Sequence, residues 1–140
     1  MLVFLLIFML LAHIVDDYYL QGWLASAKQK SWWEKNAPDN LYKNDYKMAL
    51  FCHALSWSIM IHLPLIIFIL VNGTNLFAWS IFFPIYIAVN LVTHAIVDNF
   101  KANVRAINLI TDQLIHFGQI ITTFASFCLL YGRLKWVVKV

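Results

Sequence analysis

The chain has 140 residues, 62% of them hydrophobic and only 12% charged, with a formal net charge of +3 and a mean hydropathy of +0.72. Soluble domains carry about half apolar and about a quarter charged residues, so this composition excludes an ordinary soluble domain and points to a membrane protein with room for about four spans of ~20 residues. The excess of 10 Lys and Arg over 7 Asp and Glu suits loops facing an anionic membrane surface and is too mild for a nucleic-acid footprint.

Residues 1–20 open on an unbroken apolar run. No basic residue precedes that core and no small-residue cleavage site follows it, so the segment reads as a retained first span and not as a signal peptide. It ends on His13, Asp16 and Asp17, still inside the helical pattern. Residues 22–47 are the one long polar segment, with Lys28, Lys30, Lys35, Lys43 and Lys47 interleaved with Trp23, Trp32, Trp33, Tyr42 and Tyr46. That mixture is what the water–lipid boundary favours, so the segment is expected to lie on the membrane as an interfacial loop. Within it, Ser31 and Glu34 have capping-box spacing for a short surface helix, and Pro38-Asp39-Asn40 marks a break.

Residues 48–71 form a second span, with His53 near its start and Pro64 in its distal half, where a kink is expected. Asn72-Gly73-Thr74-Asn75 reads as a tight turn. The third span, about 76–100, carries Pro84 and then Asn90, His94 and Asp98 along one stripe. A short connection with Arg105 leads to the fourth span, 109–131, which begins with Asp112, Gln113 and His116 and is followed by Arg133, Lys135, Trp136 and Lys139. Cys52 and Cys128 lie near opposite ends of the bundle, so no bridge between them is expected.

Four spans joined by short or surface-lying links predict an all-α, integral-membrane, up-down four-helix bundle that is a single domain over residues 1–140. This topology brings the polar residues together. His13 and Asp17 end the first span, His53 begins the second, His94 and Asp98 end the third, and Asp112 and His116 begin the fourth, so all seven share one depth near one membrane face. The links on that face hold seven Lys and Arg residues against three at the C-terminus, which by the positive-inside rule puts the cluster on the cytoplasmic side. The C-terminal basic residues argue the other way.

Three pairs within this set share one spacing: His13 with Asp17, His94 with Asp98, and Asp112 with His116. A separation of four places both side chains on one helical face. Ionised carboxylates within a span cost about 2.5–3.5 kcal/mol each at mid-membrane, so Asp17, Asp98 and Asp112 need protons, Lys101 or metal ions to neutralise them. Imidazole and carboxylate without thiolate suit Zn²⁺ above all, with Mn²⁺ or Fe²⁺ as alternatives. Seven candidate ligands exceed what one zinc needs, so the set suits one ion or two, a pair about 3.5–4 Å apart activating water and steadying a phosphoryl oxygen. Gln21, Asn90, Gln113 and Gln119 are candidates to orient ligands or hold substrate.

A lone histidine or asparagine in a span is commonly interhelical glue, and several residues take that simpler reading. His62 lies about 180° around the helix from His53. Asp16 is partly off the His13 face, and Asp17 is preferred because Asp17 and Gln21 continue the stripe. Trp57, Trp79 and Tyr86 read as packing or interface anchors.

The ordered set His13-x-x-x-Asp17-x-x-x-Gln21, His53, His94-x-x-x-Asp98-x-x-Lys101 and Asp112-Gln113-x-x-His116 resembles a family of small four-span bacterial and phage membrane proteins of unknown function. More distantly it is similar to the membrane-bound metal-dependent hydrolases associated with the SOS response, and its repeated pairs look like those of the all-helical zinc phospholipase C group. The resemblance implies a bacterial inner-membrane protein with a hydrolase-type metal site drawn from His13, Asp17, His53, His94, Asp98, Asp112 and His116. At interface depth the expected substrate is a phospholipid or polyprenyl phosphate, attacked by metal-bound water with one of Asp17, Asp98 and Asp112 as general base. Two readings compete with this one: an ion- or proton-coupled transporter using the cluster as a relay, and a non-enzymatic phage or host interaction protein whose cluster locks the bundle. The apolar faces of the second and fourth spans leave room for homo-oligomers.

Overall fold

The computed structural model describes residues 2–72 and 76–137, and every regular element within them is helical. Gly73, Thr74 and Asn75 of the expected turn lie outside the described residues, as do Lys139 and the side chains of Lys135 and Trp136.

Helix α1 (Leu2–Ile14) buries Leu5, Met9 and His13, a stripe at four-residue steps facing the bundle. It runs on into a π-helical turn, Val15–Leu20, in which Asp16 and Asp17 are both buried. Adjacent residues of an α-helix point about 100° apart; this stretch, with its different hydrogen-bond register, turns two consecutive carboxylates inward. Gly22, at φ +49°, then lets the chain leave the helix axis in a conformation that costs glycine little.

The loop folds back over the polar end. Helices α2 (Leu24–Ala27) and α3 (Lys30–Asn36) are joined by the Trp33 Nε1–H bond to the Ala27 carbonyl at 2.7 Å. Trp23, Trp32 and Trp33 meet edge to face, with centroids 5.0–6.0 Å apart. The expected capping box does not form: α3 begins at Lys30, with Gln29 at the cap position and no side-chain cap. The Lys30 N–H goes instead to Asn103 Oδ1 at 2.7 Å, so a tertiary partner satisfies it and Ser31 is drawn inside the helix. The break at Pro38-Asp39-Asn40 is present, with Asp39 Oδ1 accepting the Leu41 N–H ahead of a 3₁₀ turn, Asn40–Tyr42.

After the loop, α4 (Asp45–Asn72) and α5 (Leu76–Asn99) continue through Pro64 and Pro84. Helix α5 also runs into a π-helical turn, Phe100–Val104, closed by Arg105 in the left-handed conformation. Helix α6 (Leu109–Val137) is capped by Asn108, whose side-chain oxygen accepts the Thr111 N–H at 2.9 Å. Four helical stretches, Leu2–Leu20, Asn40–Asn72, Phe77–Val104 and Leu109–Leu134, are long and apolar enough to cross a membrane.

The four alternate in direction. His13 meets Trp57 and Gln113, His53 meets His94, His62 meets Phe83, and Asn90 meets Thr123. In each pair a residue late in one long helix meets one early in another, or the two sit at matching depth, as an antiparallel bundle requires. Helix α4 packs against both α1 and α5 and carries His53, Trp57, Ile61 and Leu65 inward at four-residue steps. Away from the histidines the core is aromatic: Trp79 and Phe127 lie 4.9 Å apart, and Tyr131 packs on Phe68 and Phe127. Outward faces carry exposed Phe4, Ile7, Leu63, Ile67, Ile85, Val89 and Leu129, an apolar shell suited to lipid. Cys52 and Cys128 are both free thiols.

Candidate metal centre

Five of the seven candidate ligands converge. Asp17, His53 and His94 form one group whose ligand atoms lie within 4.8 Å of one another, and His94, Asp98 and His116 form a second; all five residues are buried. The groups share His94, and a neutral imidazole nitrogen has one lone pair to give. A neutral His94 could therefore serve only one of the two groups through a given nitrogen. His53 Nε2 is 3.1 Å from His94 Nε2, 3.2 Å from Asp17 Oδ1 and 3.4 Å from Asp98 Oδ2. His116 Nε2 is 3.5 Å from both Asp98 Oδ1 and Asp112 Oδ1.

The rings are fixed from outside the cluster. His94 packs against both Trp57 and His116, with centroids 4.2 and 4.1 Å away, and those two rings lie 5.4 Å from each other. His116 Nδ1 lies 3.1 Å from Gln119 Oε1, and the Gln119 amide in turn donates to the backbone and side-chain oxygens of Asn90. Gln119 therefore presents its oxygen to His116, which must carry its proton on Nδ1. That leaves Nε2 as the nitrogen His116 turns to the cluster, where it faces two carboxylate oxygens. Among the described residues, His116 Nε2, Asp112 Oδ1 and His94 Nδ1 are buried with no hydrogen-bond partner. Buried polar atoms are rarely left so, and a proton or a metal ion between His116 Nε2 and the facing carboxylate oxygens would satisfy them.

His13 and Asp112 take other parts. Both His13 nitrogens are used: Nδ1 accepts the Trp57 Nε1–H at 2.7 Å, and Nε2 donates to Gln113 Oε1 at 3.0 Å. His13, expected as a ligand, belongs to neither ligand group in this structure. Gln113 passes the connection on, its amide donating to Asp17 Oδ2 and Asp112 Oδ2, both at 3.1 Å. Asp112 lies outside both groups, its Oδ2 held 2.6 Å from Lys101 Nζ. Gln21 donates to Asp17, at its Oδ1 and its backbone carbonyl. Asp16 is also buried but is bound by the Ser56 hydroxyl at 2.6 Å. Asn90 sits one turn deeper, donating to Thr123 Oγ1 at 2.8 Å. His62 is apart from the cluster, bonded to the Ser58 carbonyl through Nδ1.

Two contributors escape a reading of the sequence alone. Trp57 reads there as packing, although it lies four residues from His53 on the inward stripe, a spacing that marks it. Lys28 is one of five loop lysines and nothing local distinguishes it, yet its ammonium lies 2.6 Å from Asp98 Oδ2 with the side chain only 12% exposed. A cleft of about 460 Å³ leads to this end of the bundle, lined by Asp17, Tyr18, Gln21, Lys28, Asp98 and Lys101. No family model, curated protein or solved structure matches this chain.

Proposed function

We propose that the protein is a membrane-embedded metal-dependent hydrolase acting on a phosphoester of a lipid or lipid-linked substrate, at the cytoplasmic face of a bacterial inner membrane, and that it belongs to the four-span family its motifs resemble. The observation that carries this reading is the gathering of buried Asp17, His53, His94, Asp98 and His116 into two ligand groups that share His94, beside a cleft lined by Asp17, Lys28, Asp98 and Lys101. Three imidazoles and two carboxylates suit one zinc, with manganese or iron as alternatives.

Charge supports a single ion. Asp17, Asp98 and Asp112 against Lys28 and Lys101 leave one formal negative charge, or two with Asp16. One divalent cation brings that buried set close to neutral, whereas two would leave a large uncompensated positive charge. A metal held by these residues would supply Lewis acidity, and Asp112, whose Oδ1 has no hydrogen-bond partner, would take the proton from the attacking water. Its oxygen bonds to phosphorus, the ester P–O bond breaks, and the leaving oxygen keeps the electron pair and takes up a proton. Lys28, Lys101 and Gln21 in the cleft suit the anionic head, and the apolar helix faces suit the tail.

The ion-relay reading would need polar stations beyond Thr123, where the bundle is instead filled by Phe68, Trp79, Phe82, Phe127 and Tyr131. The test is release of phosphate or headgroup from phospholipid and polyprenyl phosphoesters by purified protein loaded with zinc, manganese or iron. Turnover lost in His94→Ala supports the proposal; turnover no greater than that of His94→Ala on every substrate refutes it.

A further inference from the structure

We infer that Lys28 is an exchangeable counterion: its ammonium holds Asp98 until a divalent cation takes that carboxylate, and it then turns to the cleft to bind an oxyanion such as phosphate. The inference rests on the metal reading above and adds to it how metal and substrate anion are coupled.

The two lysine–aspartate pairs are not equivalent. Lys101 neutralises Asp112, which lies outside both metal-competent groups, so metal binding leaves that pair intact. Lys28 neutralises Asp98, a member of the second group, through the Oδ2 atom that also faces His53 at 3.4 Å. A divalent cation engaging Asp98 and an ammonium 2.6 Å away contend for the same charge. Exchange does not require the loop to unfold. The backbone around Lys28 is pinned by Asn103, which donates to the Lys28 carbonyl at 3.1 Å and accepts the Lys30 N–H. Only the flexible side-chain stem needs to move, and it already lines the cleft with Gln21 and Lys101.

Charge gives the exchange its direction. With the metal bound and Lys28 still present, the cluster that was formally negative becomes neutral or positive by one, so an anion that carboxylates would have repelled is now attracted. A lysine can serve in turn because its ammonium is a compact point charge on a long stem. By linkage, an anion that stabilises the displaced lysine must tighten metal binding by the same factor as metal tightens the anion.

The test is zinc titration of the full chain in detergent by competition with a chelating dye, with and without inorganic phosphate, comparing wild type, Lys28→Met and Lys28→Arg. Lys28→Met is expected to bind zinc at least tenfold more tightly than wild type and to lose the phosphate effect. Lys28→Arg, whose guanidinium grips a carboxylate through two N–H groups, is expected to bind zinc several-fold more weakly and to keep that effect. If Lys28→Met does not fold without metal, the Lys28→Arg comparison decides alone. Zinc affinity unchanged or weakened in Lys28→Met, or unchanged in Lys28→Arg, overturns the exchange while leaving the metal site standing. Zinc bound by none of the three proteins overturns both.

Discussion

Replacing Gln113 by leucine removes the one side chain that links His13, Asp17 and Asp112 while leaving a group of similar size in its place. The His13 Nε2–H would lose its acceptor at 3.0 Å, and Asp17 and Asp112 would each lose a donor at 3.1 Å. Asp17 keeps Gln21 and His53, and Asp112 keeps Lys101, so neither carboxylate is stranded. A buried donor without a partner costs about 1–3 kcal/mol, and a hydrogen bond to a charged group contributes about 1.5–3 kcal/mol. Polar contacts between helices in bilayers measure lower, on average about 0.6 kcal/mol, because the unfolded helices also find partners. Together these put Gln113→Leu at about 2–4 kcal/mol of destabilisation. The assay is reversible unfolding of metal-free protein in mixed micelles. Zinc affinity is expected to fall about 10–100-fold as well, since Asp17 loses a group that orients it. A stability loss under about 1 kcal/mol with zinc binding unchanged would refute the reasoning, because His13 and both carboxylates would then be satisfied without the network.

Trp57→Phe keeps a ring over His94 but removes the N–H that holds His13; it is expected to cost about 1–2 kcal/mol and to weaken zinc binding roughly tenfold, read by the same two assays. Asn103→Ala removes the ties to Lys28 and Lys30, so amide exchange should quicken across residues 24–36 while α4 and α6 stay protected. His62→Phe should leave zinc stoichiometry unchanged, because the His62 ring bonds within its own helix and belongs to neither ligand group. Loss of metal in that variant, measured by elemental analysis, would show that the site extends deeper than the structure places it.

The bundle was legible because composition and four apolar runs leave little choice of fold, and an antiparallel arrangement then brings the ends of α1 and α5 level with the starts of α4 and α6. That reasoning alone collects Asp17, His53, His94, Asp98 and His116. It does not say which ring nitrogen points where, and His13 shows the difference. Its spacing from Asp17 matches that of His94 from Asp98, but Trp57 and Gln113 take both its nitrogens. The two π-helical turns were not legible either, since no residue pattern announces them, and the first explains why Asp16 and Asp17 are both buried. Lys28 and Asn103 owe their roles to the loop folding back over the cluster, a contact spanning 70 or more residues of sequence. The same contact moved the start of α3 from the position its capping spacing suggested.

The claim on which the rest depends is that the buried histidines and aspartates bind a metal ion. Elemental analysis of detergent-purified protein, with His94→Ala and Asp98→Asn alongside, tests it most directly. The account predicts about one equivalent of zinc, manganese or iron in the wild type and none in either variant. Folded wild-type protein that carries none of these ions and takes up none on dialysis would contradict it.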